Sequence, residues 1–325
     1  MSLAVNYKLT LGAQSYSADA RSQLLSLQTS ASLAVPVNQC LITLASGADV
    51  RVQLGDPVIV ELGYGSKLLP VFKGQVSHIE RGLTRLTLEA SSAMAALTQT
   101  YLNRLYDKPQ AGDIVKDVVK QAGLKAGRID SGLSFAVYTL GDLQSAYGHL
   151  QHLARQCGVD LYANVDDKVM FAAYKAAKVH DGEYGNNLLR CDLIQSIPGV
   201  DQIEVYGESP ASKGQGDKAT TWLTQKEIKG LSGKGGGVTL RLADPTARTE
   251  ALAKKIAQAM LATHQAKARG RLTLLGDGAI ALGDGIRLSK LPQAEQNGTF
   301  KIVGVSQRLG QRTGFTTVVD WETES

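Results

Sequence analysis

Apolar and polar residues alternate along most of residues 1–90. Tyr7-Lys8-Leu9-Thr10-Leu11 alternates, and so does Gln39-Cys40-Leu41-Ile42-Thr43-Leu44, which ends at Ser46-Gly47. Residues 57–62 follow a Gly-Asp turn and close at Gly63-Tyr64-Gly65, while 71–79 and 83–89 form a hairpin about Arg81-Gly82. A period of two, punctuated by glycine turns, predicts short strands in a compact barrel or sandwich.

The period changes near residue 91. Residues 91–97 are small and helical, Asp107-Lys108-Pro109 breaks the chain, and Ile114, Val115, Val118 and Val119 recur at helical spacing before Gly123. A second helix is predicted over 141–157, with Leu143, Tyr147, Leu150, Ala154 and Cys157 as its apolar stripe and Gly158 as its stop. Strands at 159–163 and 168–172 follow, joined by the turn Asn164-Val165-Asp166-Asp167. Strand is predicted again over 190–207, carried by Asp201-Gln202-Ile203-Glu204-Val205-Tyr206-Gly207, before 208–240, which is rich in Gly, Ser and Lys and reads as a loop or extended arm. Asp244-Pro245 has the chemistry of a helix start, and an Ala-rich run continues to Arg269.

Two blocks of the chain echo each other. Leu54-Gly55-Asp56 recurs as Leu282-Gly283-Asp284 and Phe72-Lys73 as Phe300-Lys301, both 228 residues on (282 − 54 and 300 − 72). Val76-Ser77 recurs as Val305-Ser306, one residue out of step, and each block runs on into a Thr-rich strand. So long a separation predicts a duplicated β-module rather than a short-period solenoid. The expected fold is α+β, mostly β: two tube-like β-barrels flanking a small α/β domain. The domains are expected at 1–100, 101–185 and 186–325, the last with a loop insertion at 208–240 and a helix at 244–269.

Composition narrows the chemistry. The 325 residues are 43% hydrophobic and 20% charged, with 34 glycines, ordinary for a folded chain rich in turns. No apolar run approaches a membrane span, and the opening MSLAVNYKLTLG lacks a secretory pattern, so synthesis and folding in a bacterial cytoplasm are expected. The net charge of +5 is scattered, and aromatics are only 6%, which argues against a single-strand nucleic-acid platform. Cys40, Cys157 and Cys191 form no CxxC and read as reduced thiols. Gly233-Lys234 lacks the P-loop spacing, since position 228 is Ile and 235 is Gly. His149, His152 and Cys157 point in different directions around one helix and cannot converge on a metal. Asp166-Asp167 sits in a polar turn, and GxSxG and HExxH are absent. No catalytic, cofactor or metal residue is therefore expected. The isolated Trp222-Leu223 pair between two Gly/Lys-rich runs is a candidate anchor for a partner.

Larger stretches carry a resemblance. Ala266-Lys267-Ala268-Arg269-Gly270-Arg271-Leu272-Thr273-Leu274-Leu275-Gly276-Asp277, then Leu282-Gly283-Asp284-Gly285-Ile286-Arg287-Leu288, resemble the phage late control D family. The ending from Gly298-Thr299-Phe300-Lys301-Ile302-Val303-Gly304 to Gly314-Phe315-Thr316-Thr317 agrees, as does Ala111-Gly112-Asp113-Ile114-Val115 opening a helix. That family supplies the baseplate hub of contractile phage tails and R-type pyocins, and the hub half of the type VI secretion protein VgrG is similar. The resemblance implies a structural, non-enzymatic homotrimer joining a hexameric tail tube to a trimeric spike, in contact with other baseplate proteins. It implies no cofactor, no membrane insertion and no specific nucleic acid. The chain stops at Ser325 with no needle domain, which implies a separate spike protein. The competing reading is a tail-associated enzyme that degrades cell wall, with its lytic part in the middle domain.

Overall fold

The computed structural model describes residues 4–18, 23–45, 50–195, 199–208, 224–265, 268–311 and 313–324. The fold is α+β and mostly β. In the N-terminal part the strands are β1 Val5–Leu11, β2 Gln14–Ser17, β3 Leu24–Ser32, β4 Gln39–Ala45, β5 Pro57–Tyr64, β6 Lys67–Arg81 and β7 Arg85–Ser91. A middle domain follows with α1 Ala95–Gln99, β8 Arg104–Asp107, α2 Ala111–Gln121, β9 Ala126–Ile129, β10 Val137–Leu140, α3 Ala146–Cys157, β11 Asp160–Ala163 and β12 Val169–Ala172. The rest comprises β13 Val179–Glu183, β14 Leu188–Ile194, β15 Gln202–Glu208, β16 Thr224–Gly233, β17 Thr239–Ala243, α4 Glu250–His264, β18 Arg269–Leu275, β19 Gly285–Ser289, β20 Gly298–Gly310 and β21 Gly314–Glu322.

One large sheet links the two ends of the chain. Its path runs β14-β18-β21-β20-β3-β4-β7-β6-β5-β1-β2, with β19 also on β20 and β13 on β19. Two six-strand orders are contained in it: β3-β4-β7-β6-β5-β1 and β14-β18-β21-β20-β19-β13. They match strand for strand in spatial order, except that β1 is antiparallel to β5 whereas β13 is parallel to β19. In each module one long strand bends, so that its first half pairs with β5 or β19 and its second half with β7 or β21. A core lies between the two layers that this bend creates. In the first module Leu9, Val58, Val60 and Leu62 face Leu27, Ile42 and Leu88; in the second Ile286 and Leu288 face Leu272, Val319 and Trp321. Among the described residues no strand pair closes either module into a barrel of its own.

The register identifies equivalent residues. Gln75 pairs with Ser91 and Pro57, as Lys301 pairs with Glu322 and Gly285. Both ladders then shift at the next step, between Val76 and His78 in one and between Ile302 and Gly304 in the other, so the same bulge recurs. Asp56 and Asp284 are equivalent on this register: the Val76 amide donates to the Asp56 carbonyl at 2.9 Å and the Ile302 amide to that of Asp284 at 3.0 Å. The other two sequence matches slip. Phe300 occupies the place of Gly74, and Gly298 that of Phe72, while Val305 corresponds to Ile79 and not to Val76. Asp56 to Val76 spans 20 residues and Asp284 to Ile302 spans 18, so a constant offset cannot follow the ladder. The ring has moved two positions along the same face. Phe72 is buried beside Gly74, whose missing Cβ would sit 2.9 Å from the ring, and Phe300 lies beside Gly298.

Among the described residues of the loop expected at 208–240, Thr224–Gly233 form β16 and 239–240 begin β17, which corrects the expectation there; 209–223 lie outside the described residues. β15 pairs with β16 and β17 and not with the second module. α4 covers one face of this small sheet, packing Ala253, Ile256, Ala257 and Leu261 on Ile203, Val205 and Ile228. Gly230 has a structural task there: a Cβ would stand 2.1 Å from the Ala253 backbone, so only glycine lets the helix lie this close. The helix also starts later than Asp244-Pro245 predicts, because Thr249 caps it, its hydroxyl accepting from the Leu252 amide at 3.2 Å. Asp244 is instead buried and accepts hydrogen bonds from Gln156 of α3 at 2.5 Å and from the Thr246 amide at 2.9 Å. In the middle domain α3 begins at Ala146 behind the Ser145 cap, so Leu143 is no part of its stripe and is fully exposed. The anchor pair Trp222 and Leu223 lies outside the described residues.

Candidate functional site: a strand seam and its unfilled counterpart

The feature that organises the molecule is the seam between its two modules. β20 pairs with β3 from Gly304↔Ser32 to Gly310↔Ser26, seven consecutive antiparallel pairs. Leu309 falls opposite Leu27 and packs on the first core. On the core side Gln307 is buried and polar, donating from Nε2 to the Asp277 carbonyl at 3.0 Å and accepting from the Thr317 hydroxyl at 2.6 Å. These partners meet the requirement that a buried amide be hydrogen-bonded.

The duplication supplies the same two surfaces a second time. β14 is the equivalent of β3, because Ile194 pairs with Arg269 as Ser30 pairs with Gln39. Its outer edge carries no strand among the described residues. The end of β6, residues 78–81, is the equivalent of β20 from Gly304 to Gln307, and its side away from β7 is likewise without a strand among the described residues. Apolar side chains stand exposed at both places: Leu189 at 55%, Ile194 at 51% and Leu83 at 99%. Leu83 stands in the β6–β7 turn, two residues beyond the end of β6 at Arg81. An unpaired strand edge bearing apolar groups is a template for another strand.

The predicted turn residues divide. Gly55 and Gly283 both have positive φ, +86° and +85°, so the shared Leu-Gly-Asp spelling encodes one turn. The surroundings differ. Leu54 is 67% exposed, and Asp56 Oδ2 accepts from the Gln53 amide at 2.8 Å. Leu282 and Asp284 are buried, at the joint with the middle domain. His180 Nε2 lies 2.9 Å from Asp284 Oδ2, the Tyr174 hydroxyl donates to the Asp284 carbonyl at 3.4 Å, and Tyr162 of β11 lies over Gly283. Lys301 adds an ion pair with Asp160 at 2.7 Å. Burial is the main cause that pushes the Tyr162 and Tyr174 phenols up to about 12. This turn therefore fastens the middle domain to the second module.

The remaining candidates do not converge. The His149 ring is bonded to the Gly141 carbonyl at 2.8 Å, whereas the Cys157 sulfur faces the Leu133 amide at 3.5 Å. Burial raises the Cys157 thiol to about 11, which leaves it protonated. Asp167 is not a solvated turn residue as expected: its carboxylate accepts from the Ala93 amide at 2.9 and 3.0 Å, and burial raises its pKa. It ties the β11–β12 turn to the end of the first module. Sequence reasoning missed β14 as a functional element, although the apolar spelling Leu188-Leu189-Arg190-Cys191-Asp192-Leu193-Ile194 is unusual for an open edge.

No family profile and no curated protein matches this chain. Solved structures do match over nearly its whole length. The 43 kDa tail protein of prophage MuSo2 from Shewanella oneidensis has a TM-score of 0.71 at 14% identity and covers 98% of both chains. A tail protein from Neisseria meningitidis MC58 has a TM-score of 0.69 at 10% identity, over 99% of this chain and 97% of its own. The E. coli c3393 protein is described as a component of the type VI secretion system similar to the T4 tail proteins gp27 and gp5. It has a TM-score of 0.63 at 10% identity, over 98% of this chain and 77% of its own. The fold is that of phage-tail and type VI secretion structural proteins.

Proposed function

We propose that this chain is the baseplate hub of a contractile tail or related injection particle, acting as a homotrimer with no chemical step of its own. The observation that carries the reading is the unfilled copy of the β3–β20 seam. If β14 of one copy pairs with the end of β6 on the next, the internal seam is repeated between chains, with Glu80 opposite Ile194 and Arg81 opposite Leu193. Such a contact is heterologous and generates a ring when its rotation closes. Each chain brings eight continuous strands, β14-β18-β21-β20-β3-β4-β7-β6, so three chains make a closed wall of twenty-four with no free edge.

The wall's solvent face suits a conduit. It bears Gln28, Ser30, Thr43, Thr87, Thr273 and Thr316, and its charges are balanced, as in the Arg271–Asp320 pair at 2.6 Å and the Arg190–Asp192 pair at 2.8 Å. Two modules in each of three chains give six similar units, which matches a hexameric tail tube on one side and a trimeric spike on the other. Other baseplate proteins contact the outside, and Trp222-Leu223 is one anchor for them.

The test is the mass of the purified chain, alone and with its neighbouring gene products, together with the variant Glu80→Cys/Ile194→Cys. A three-chain mass and a disulfide-linked trimer on a non-reducing gel are expected. A single-chain mass in every mixture, or no cross-link between chains, overturns the proposal.

A further inference from the structure

The middle domain and the 199–265 unit are far apart in sequence but share their cores. Leu252 of α4 packs on the core of the middle domain, and Leu133 of the middle domain packs on the core beneath α4. The end of α3 lies close to α4: a Cβ on Gly158 would stand 3.3 Å from that of Ala259. A polar contact joins the same two parts. Gln156 of α3 donates from Nε2 to the Asp244 carboxylate at 2.5 Å and to the Thr246 hydroxyl at 3.1 Å, and that hydroxyl donates to Asp244 at 2.6 Å. Gln156 and Asp244 are buried, so a small slip between the parts would break these bonds before water could replace them.

Contact with the two β-modules is of another kind. Among the described residues, Tyr162 alone of these two parts packs on a module core. The ties found there are polar: Asn38 on the Ala163 carbonyl at 3.0 Å, Lys301 on Asp160 at 2.7 Å, and Tyr174 on the Asp284 carbonyl at 3.4 Å. Beside them runs a crevice of about 500 Å³, with Val159, Ala259 and Ala262 on one side and Leu33, Ala34 and Val303 on the other. The chain crosses between the two sides after β7, before β13, after β14 and before β18. The link at 173–178 carries neither helix nor strand.

We infer that the middle domain and the 199–265 unit form one rigid body, and that this body rocks on the two modules about the Tyr162–Gly283 and Asp160–Lys301 joint, opening and closing the crevice. A packed apolar interface resists displacement, because any shift opens voids that forfeit contacts. Polar ties beside an open gap can be exchanged for bonds to water at little net cost. Links without secondary structure absorb the rotation. The rocking is expected of a single chain and of a trimer alike, so its failure and that of the hub reading are separate.

The test is the distance distribution between pairs of spin labels in the full chain, diluted with unlabelled chain. The labels are carried on an unnatural amino acid, so that Cys40, Cys157 and Cys191 stay in place. Lys120 of α2 with Lys255 of α4 reports within the body, Leu41 with Leu275 within the modules, and Leu41 with Lys255 between the two; all four positions are exposed. The Leu41/Lys255 distribution should be at least about twice as wide as the other two, as a collective hinge motion requires. Gln156→Leu should widen the Lys120/Lys255 distribution and leave the Leu41/Leu275 one unchanged. A Leu41/Lys255 distribution as narrow as the others would mean one rigid chain. A wide Lys120/Lys255 distribution in the unsubstituted protein would mean two parts moving separately. Either result overturns the inference, and an unchanged Lys120/Lys255 distribution in Gln156→Leu refutes the part given to the buried polar contact.

Discussion

Gly55 and Gly283 offer a matched experiment, because one turn occurs twice in different surroundings. Each has φ near +86°, which an alanine adopts at a cost of roughly 1–2 kcal/mol, partly offset by about 0.4–1 kcal/mol from its stiffer unfolded chain. At Gly55 a Cβ meets nothing within 4 Å, so Gly55→Ala should destabilise by about 0–1.6 kcal/mol, the difference of those two ranges. At Gly283 the same Cβ would stand 2.3 Å from the Tyr162 hydroxyl and 3.2 Å from the ring carbon that bears it. The ring must move, and overpacking of this kind adds roughly 1–3 kcal/mol, so the loss exceeds that at Gly55 by this amount and totals about 1–4.6 kcal/mol. Removing the offending atom should restore the difference: in Gly283→Ala/Tyr162→Phe the nearest contact is the 3.2 Å one. Urea unfolding of five proteins (wild type, Gly55→Ala, Gly283→Ala, Tyr162→Phe and Gly283→Ala/Tyr162→Phe) completes the double-mutant cycle on 162 and 283 and measures the coupling. Equal losses for Gly55→Ala and Gly283→Ala, or no rescue by Tyr162→Phe, would refute the claim that the second turn is the joint with the middle domain.

Trp321 is buried with its ring 4.2 Å from that of Phe300, and Trp321→Ala should cost about 3–5 kcal/mol, read as an earlier melting transition. Glu204 accepts from Tyr206, Lys229 and Arg241, in that order of effect, and these hold its pKa at about 2, below its unfolded value. Its contribution is therefore complete above about pH 4.3 and is lost as pH falls through about 2; Glu204→Gln should flatten the pH dependence of stability across that window and lower stability at pH 7, where the contribution is complete. Asp167→Ala should lower stability through the Ala93 amide, while Asp166→Ala, His149→Ala and His152→Ala leave assembled particles active; normal assembly with lost activity for any of them would revive the cell-wall enzyme. Trp222→Ala should leave the melting temperature of the isolated chain unchanged and reduce particle assembly, and a loss of about 3–5 kcal/mol in the isolated chain would instead place Trp222 in a core.

The sequence by itself carried what is local or repeated. Period-two alternation marked β1 and β4, glycine turns marked β5 and β7, and helical spacing of Ile114, Val115, Val118 and Val119 marked α2, because burial of one face imposes these periods and glycine breaks them. The Leu-Gly-Asp echo was legible because only glycine fits the positive φ that both turns need. Register was not legible. A two-residue difference between modules moved Phe300 onto the place of Gly74, and a ladder is fixed by pairing across space rather than by counting along the chain. The unit at 199–265 was hidden because its glycines serve close helix-to-strand approach at Gly230, which composition cannot separate from flexibility. The edge of β14 lay beyond the sequence for the same reason: whether a strand has a neighbour on both sides is settled only when distant segments meet, as β20 meets β3 across nearly the whole chain.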